Sequence, residues 1–191
     1  SDTVDLAGTL DTQGGTFSLG AGDDTFRTHD TTNVIGNLDA GAGNDLLDVA
    51  VTTGNTVHFD GLAGFESLGK SGAGTMVVDG NASFQDIVVS GGLLDATATA
   101  TLTTHTLDIA SGATLNVDNL LSGTTGNDTA TIAGRVTGAG RIDLGAGDDT
   151  LTVQDGADFS GLALPVDGGA GNNLLVTDIA TNATLGGVAN F

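Results

Sequence analysis

Aspartates recur beside glycines in this 191-residue chain at a spacing that could hold a cation. Leu19-Gly-Ala-Gly-Asp-Asp-Thr-Phe26 returns as Leu144-Gly-Ala-Gly-Asp-Asp-Thr-Leu151. Leu38-Asp-Ala-Gly-Ala-Gly-Asn-Asp-Leu-Leu47 returns as Val166-Asp-Gly-Gly-Ala-Gly-Asn-Asn-Leu-Leu175. A degenerate fifth copy runs from Gly123 to Thr131, with Thr124 where the others have Gly. The aspartate position holds Asp24, Asp45, Asp128 and Asp149, and Asn173 in the last copy. Asp24 and Asp45 lie 21 residues apart, as do Asp128 and Asp149. If 21 residues close one coil of a stack, the backbones of each pair sit ~4.8 Å apart. Carboxylates that close need a cation, water or a proton between them. Carboxylate and carbonyl oxygens suit Ca²⁺, which takes six to eight of them, so Asp23, Asn44, Asn127 or Asp148 would have to join. The four aspartates are thus candidate ligands of a weak calcium site. The competing reading is a Gly/Asp corner whose Asp caps backbone amides.

Other motifs point to chemistry less well. Gly64-x-x-x-x-Gly69-Lys70-Ser71 spells the nucleotide-binding P-loop, which needs a strand before it and a helix after it. Here Gly72-Ala-Gly-Thr-Met-Val-Val78 follows, a turn and then a strand, so the match is rejected. His29, His58 and His105 share no metal-binding spacing. No G-x-S-x-G elbow is present. Glu66 is the only Glu, so a glycosidase would need an all-Asp site. Asn81-Ala-Ser83, Asn127-Asp-Thr129 and Asn182-Ala-Thr184 fit the glycosylation acceptor pattern, which is common by chance.

Composition limits what could position these residues. Gly accounts for 32 residues, and Lys70 and Met76 are the sole Lys and Met, so straight-chain helix formers are nearly missing. Val, Leu, Ile and Thr punctuated by Gly, Asn and Asp make strands and turns. Helical bundles and doubly wound α/β folds are excluded. The net charge of −20, with Arg27, Lys70, Arg135 and Arg141 the only Lys or Arg, excludes an ordinary nucleic-acid binder and anionic membrane surfaces. No apolar run reaches the ~18 residues of a membrane-spanning helix, so direct membrane insertion of this segment is not expected. The absence of Cys fits any compartment.

The repeats give the architecture. Residues ~6–65 and ~132–191 are two copies of one module, at offsets of 125 to 128. Turn signals at Gly20, Gly41, Thr124, Gly145 and Gly169 are separated by 21, 83, 21 and 24 residues, and 83 is close to four further periods. Short runs such as Thr75–Val78, Asp86–Val89, Leu107–Ile109 and Leu115–Val117 read as strands. Three short strands per ~21 residues predict one coil of a parallel β-helix, stacked about nine times into one core. The expectation is one all-β solenoid segment over residues 1–191, cut from a longer tandem array, with end-to-end self-association at its open coils.

Two resemblances add to this reading. The Gly-Ala-Gly-Asp-Asp turns resemble the calcium-binding RTX nonapeptide, although RTX turns follow one another directly and these stand a coil apart. Phe65-Glu-Ser-Leu-Gly-Lys-Ser-Gly-Ala-Gly-Thr-Met-Val-Val-Asp-Gly80 resembles the passenger-associated repeat of bacterial autotransporters, through Lys70, Gly72, Gly74, Thr75 and Gly80. Gly91-Gly-Leu-Leu94 and Ser111-Gly-Ala-Thr-Leu-Asn-Val117 continue it, while Ser83-Phe-Gln-Asp86 departs from its usual Tyr-x-Gly. That resemblance implies a right-handed, pertactin-like passenger exported by the type V pathway to the bacterial cell surface. The function expected is a non-catalytic stalk or adhesive segment, without a resident cofactor unless calcium binds. Its expected partner is a host-cell or matrix receptor or a neighbouring adhesin. A calcium-binding RTX-type module and a β-helical polysaccharide-degrading enzyme are the alternatives.

Overall fold

Inward β-branched and leucine side chains alternate with outward Thr, Ser and Asp, and glycine-rich corners break each run. Such a chain can bury its apolar face only by winding back on itself. A computed structural model describing residues 1–191 shows that outcome: an all-β parallel solenoid of about nine coils without a helix. The first sheet has nine strands, Thr3–Leu6, Thr25–Thr28, Leu46–Ala50, Ser67–Ser71, Asp86–Val89, Thr106–Ile109, Thr129–Ile132, Thr150–Gln154 and Leu174–Asp178. The second has eight, from Thr9–Ser18 to Asp158–Leu162. The third has six, from Ala82–Ser83 to Val188–Ala189. In the first three coils the third face is formed by the tails of long second-sheet strands, as in Thr56–Ala63.

Register in the first sheet runs without a shift, because a one-residue slip would turn the inward set outward, whereas three pairings of the second sheet contain bulges. Phe26, Leu47, Leu68, Ile87, Leu107, Ala130 and Leu151 stack as one inward row of the first sheet. They belong to a single core of 38 buried residues that also takes Val57, Met76, Leu94, Leu115 and Val136 from the second sheet. The neighbouring inward row contains Lys70, between Val49 and Val89. The second half of the P-loop-like segment is itself strand Ser67–Ser71, and strand Thr75–Val78 follows it, so no helix N-terminus is available there to meet phosphate.

The corners require glycine where coils touch through backbone. At Gly41, with φ of 99°, an added Cβ would lie 1.8 Å from the Gly20 carbonyl oxygen one coil below. Gly169 repeats the contact on Gly145 at 1.9 Å. These two positions fix the path of the Gly-Asp turns and hence where their aspartates lie.

Candidate functional site

The residue before each first-sheet strand forms a column along one corner of the rod. Its members are Asp2, Asp24, Asp45, Glu66, Gln85, His105, Asp128, Asp149 and Asn173, one per coil. The structure therefore places Asp24 beside Asp45, and Asp128 beside Asp149, as the 21-residue spacing predicts. Asp2, Glu66, Gln85, His105 and the full role of Asn173 escape the motif reading, because only five coils carry the Gly-rich turn. The signal that finds them is positional: a polar residue stands directly ahead of every strand of the first sheet.

Within the Gly-Asp turns the column residue points its N–H toward the next coil, where a side chain accepts it. Asp24 N–H donates to Asp45 Oδ1 at 2.6 Å, and Asp45 N–H to Glu66 Oε2 at 2.7 Å. Asp128 N–H donates to Asp149 Oδ1 at 2.7 Å, and Asp149 N–H to Asn173 Oδ1 at 2.9 Å. A second ladder runs the opposite way just outside it. Asn44 N–H donates to Asp23 Oδ1 at 3.0 Å, Asp148 N–H to Asn127 Oδ1 at 2.9 Å, and Asn172 N–H to Asp148 Oδ1 at 2.9 Å. Adjacent coils are thus tied reciprocally by two neighbouring residues.

The inner aspartates are almost wholly buried, at 0 to 2% exposure. Asp24, Asp45 and Asp149 each keep one buried oxygen, Oδ2, without a hydrogen-bond partner. Burial pushes the Asp149 carboxyl above the usual range; the Asp128 N–H opposes this, and the charges of Asp128, Asp148 and Asp143 add to it. Asp128 differs because Thr124 N–H reaches its Oδ2 at 2.6 Å, while Thr124 Oγ1 and the His105 ring meet its Oδ1, each at 2.8 Å. The hydroxyl and the imidazole both face the carboxylate and not each other, so this trio fastens coils without forming a nucleophile–base pair. Each of the three turns with an unpartnered oxygen offers one such atom. No three His, Cys, Asp or Glu side chains converge in a set that could hold a metal. An ion at a turn would have to draw most of its six to eight oxygens from carbonyls and water.

Other charged groups are also fasteners. Asp30 accepts from Thr52 N–H at 2.5 Å and Thr52 Oγ1 at 2.6 Å, and Asp155 holds Thr181 and Asn182 in the same way. Those hydrogen bonds, the threonine hydroxyl's first, hold both carboxyls below the usual range. Arg27 pairs with Asp48 and Arg135 with Asp158 across one coil step. Lys70 is 1% exposed, and its Nζ donates to the carbonyls of Ser71, Gly72 and Gly91 at 2.9, 3.1 and 2.9 Å. Burial pulls its ammonium down to about 8. Its stem fills the core while its head ties one corner to the next coil.

A cleft of about 440 Å³ lies between Leu62–Gly64 and Asn81–Ser83, where the third sheet begins, and a larger hollow of about 570 Å³ lies beside Gly169, Asn172–Leu174 and Phe191. A neighbouring hollow of about 360 Å³ shares Leu62, Ala63 and Asn81 with the cleft. Hydroxyls, amides, small side chains and Leu62 line the cleft, and Leu38 and Asp39 join in the neighbouring hollow. Compared with known protein families, characterised proteins and solved structures, the chain matches none.

Proposed function

We propose that this chain is a non-catalytic stalk or adhesive segment of a large autotransporter adhesin on the bacterial cell surface. The observation that carries the reading is the single core running through about nine parallel coils, with laterally repeating faces. Such a rod lengthens by adding coils, each contacting only its neighbours, and presents its sides to a partner. The passenger-like phrase supports the same reading with a structural reason for its residues. Lys70 caps three corner carbonyls, and at Gly74 a Cβ would meet the Thr52 carbonyl oxygen at 2.3 Å. Its partner is a host-cell or matrix receptor or a neighbouring adhesin, engaged through the side of the rod without turnover. The test is to coat beads with the purified chain and measure attachment to host cells and matrix proteins, alongside a polysaccharide-degradation panel. Saturable attachment without product release supports the proposal. Glycan cleavage lost on substituting one Asp pair would replace it with the enzyme reading.

The unpartnered buried oxygens of Asp24, Asp45 and Asp149 favour a second reading, a calcium-loaded module. A melting temperature that rises in millimolar calcium over chelator, and no longer does so in Asp45→Asn, would support it.

A further inference from the structure

One coil in the middle of the third face carries almost no outward side chain. On the tail of strand Thr56–Ala63 the outward residues are Gly61 and Ala63, and Leu62 between them turns into the core. In the coil before it, Asn37 and Asp39 stand beside those two positions. In the coil after it, Asn81 and Ser83 form the opposite wall, backed by Thr101 and Thr103 of the next coil. The result is a notch one coil wide across the side of the rod. Its two walls are two coil steps apart, ~9.6 Å between backbones.

The walls hold hydrogen-bonding groups that the chain does not use. Asn81 Oδ1 accepts from Thr101 N–H at 2.9 Å, and Asp39 Oδ1 accepts from Gly41 N–H at 3.0 Å. The Asn81 amide hydrogens, Asp39 Oδ2, the Asn37 amide and the Ser83 hydroxyl have no partner in the chain. The second sheet shows what such residues do when no coil separates them. There the Asn116 amide donates to Asp95 Oδ1 at 2.8 Å, and the Thr137 hydroxyl to Asn116 Oδ1 at 2.9 Å. Across Gly61 that outward ladder lacks a rung. A Cβ at Gly61 would meet Asn37 Oδ1 at 2.4 Å, so the Asn37 amide already leans over the floor.

The missing rung has a definable chemistry. No Lys, Arg or His lines the notch, and Asp39 is its one charged group. An anion would find no counter-charge there and would meet the field of a chain at −20. Amides, a hydroxyl and a carboxylate oxygen together donate and accept, which matches groups that do both, namely hydroxyls. Leu62 and Ala82, each 6% exposed, offer an apolar floor to the C–H face of a ring.

We propose that this notch binds a neutral glycan, one sugar ring seated over Leu62 and Ala63 with its hydroxyls bridging Asn37 and Asp39 to Asn81 and Ser83. The proposal rests on the adhesin reading and gives its partner a chemical class. No aromatic ring lines the notch, so each ring is held weakly, and ligand-observed NMR is the suitable readout.

Saturation transfer from the whole chain is measured to neutral oligosaccharides of glucose, galactose, mannose and N-acetylglucosamine, and to sialylated and sulfated counterparts, at millimolar concentration. The expected result is transfer to at least one neutral glycan above its anionic counterpart. Ala63→Phe plugs the notch from an exposed position and should weaken binding about tenfold, and Asn37→Ala about fivefold, the size of one hydrogen bond. Val88→Phe, on the exposed side of the first sheet, should leave it unchanged. All three variants are first checked for unchanged circular dichroism and melting temperature. No transfer to any neutral glycan, preference for the anionic ones, or binding indifferent to Ala63→Phe would overturn the proposal. Beads coated with the chain separate its failure from that of the adhesin reading. Attachment that persists on enzymatically deglycosylated cells and matrix would assign a polypeptide partner and overturn the glycan, leaving the adhesin reading intact. Notch-dependent glycan binding without attachment to any surface would support the site and remove the adhesin reading.

Discussion

The Gly-Asp coils at the two ends of the rod and the tight coils between them solve one problem in two ways. In the tight coils the column residue turns its N–H back. Glu66 N–H donates to the Asp45 carbonyl, Gln85 N–H to the Glu66 carbonyl and His105 N–H to the Gln85 carbonyl. No side-chain acceptor is needed, and the residue type drifts from Glu to Gln to His. In the Gly-Asp coils from Asp24 to Asp45 and from Asp128 to Asp149 the N–H points forward, away from any carbonyl, and an Asp, Glu or Asn side chain one coil ahead accepts it. Aspartate is there because a buried donor would otherwise be left unpaired. Only one of its oxygens is required, which is why Asn173 serves as well. The amide of Asn173 also donates to the Asn190 carbonyl at 2.9 Å, giving its second atom a partner that Asp45 Oδ2 lacks.

The largest effect expected is at a corner glycine of a Gly-Asp coil, set against a glycine inside a strand of the tight region. Gly41→Ala forces a Cβ onto the Gly20 carbonyl oxygen at positive φ, and should cost about 3–5 kcal/mol in denaturant unfolding. Gly69→Ala in a tight coil meets nothing within 4 Å and should change stability by under about 0.5 kcal/mol. Equal losses at the two sites would break the distinction.

Next in size is the column itself. Asp45→Ala orphans the Asp24 N–H and should cost about 1–3 kcal/mol, whereas Gln85→Ala should be within about 0.5 kcal/mol of neutral. Asp45→Asn keeps the acceptor and removes a buried unpaired oxygen, so it should match or exceed the parent in stability.

Titration sharpens the contrast further. Lys70, in the tight region, has its folded pKa lowered to about 8, so the unfolded chain binds more protons between about 8 and 10.5. Stability should rise with pH across that window, and Lys70→Met should flatten the rise. The smallest effect is at Asp149, whose folded pKa is raised. Its contribution is fully present below the unfolded value of 3.8 and declines as pH rises through the folded pKa. Asp30 and Asp155 act oppositely, stabilising above 3.8 and losing that effect as pH falls through their lowered pKa values. Melts between pH 3 and 7 should show Asp149→Asn removing the acid-favoured component alone.

Much of this was legible in the residues. Period-21 turns, inward Val, Leu and Ile, and strands such as Thr75–Val78 and Asp86–Val89 lie where alternation and glycine place them. The spacing of Asp24 and Asp45 correctly implied neighbours on successive coils. Hidden from the sequence were the direction of each column N–H and the burial of Lys70, because both depend on how a corner turns. Turn chemistry names the residues that bend a chain, but it does not say which way the freed amide points. Glu66, Gln85 and His105 shared a column with the aspartates yet had no turn motif to mark them.

Amide hydrogen exchange at Asp24, Asp45, Asp128 and Asp149, measured in chelator at neutral pH, tests the central claim that these aspartates fasten coil to coil. These amides sit beside glycine-rich corners, where open turns exchange quickly. The account predicts protection comparable to that of core strands such as Ile87–Val89, with Asp24 losing it selectively in Asp45→Ala. Exchange as fast as in exposed loops, slowed only when calcium is added, would contradict it.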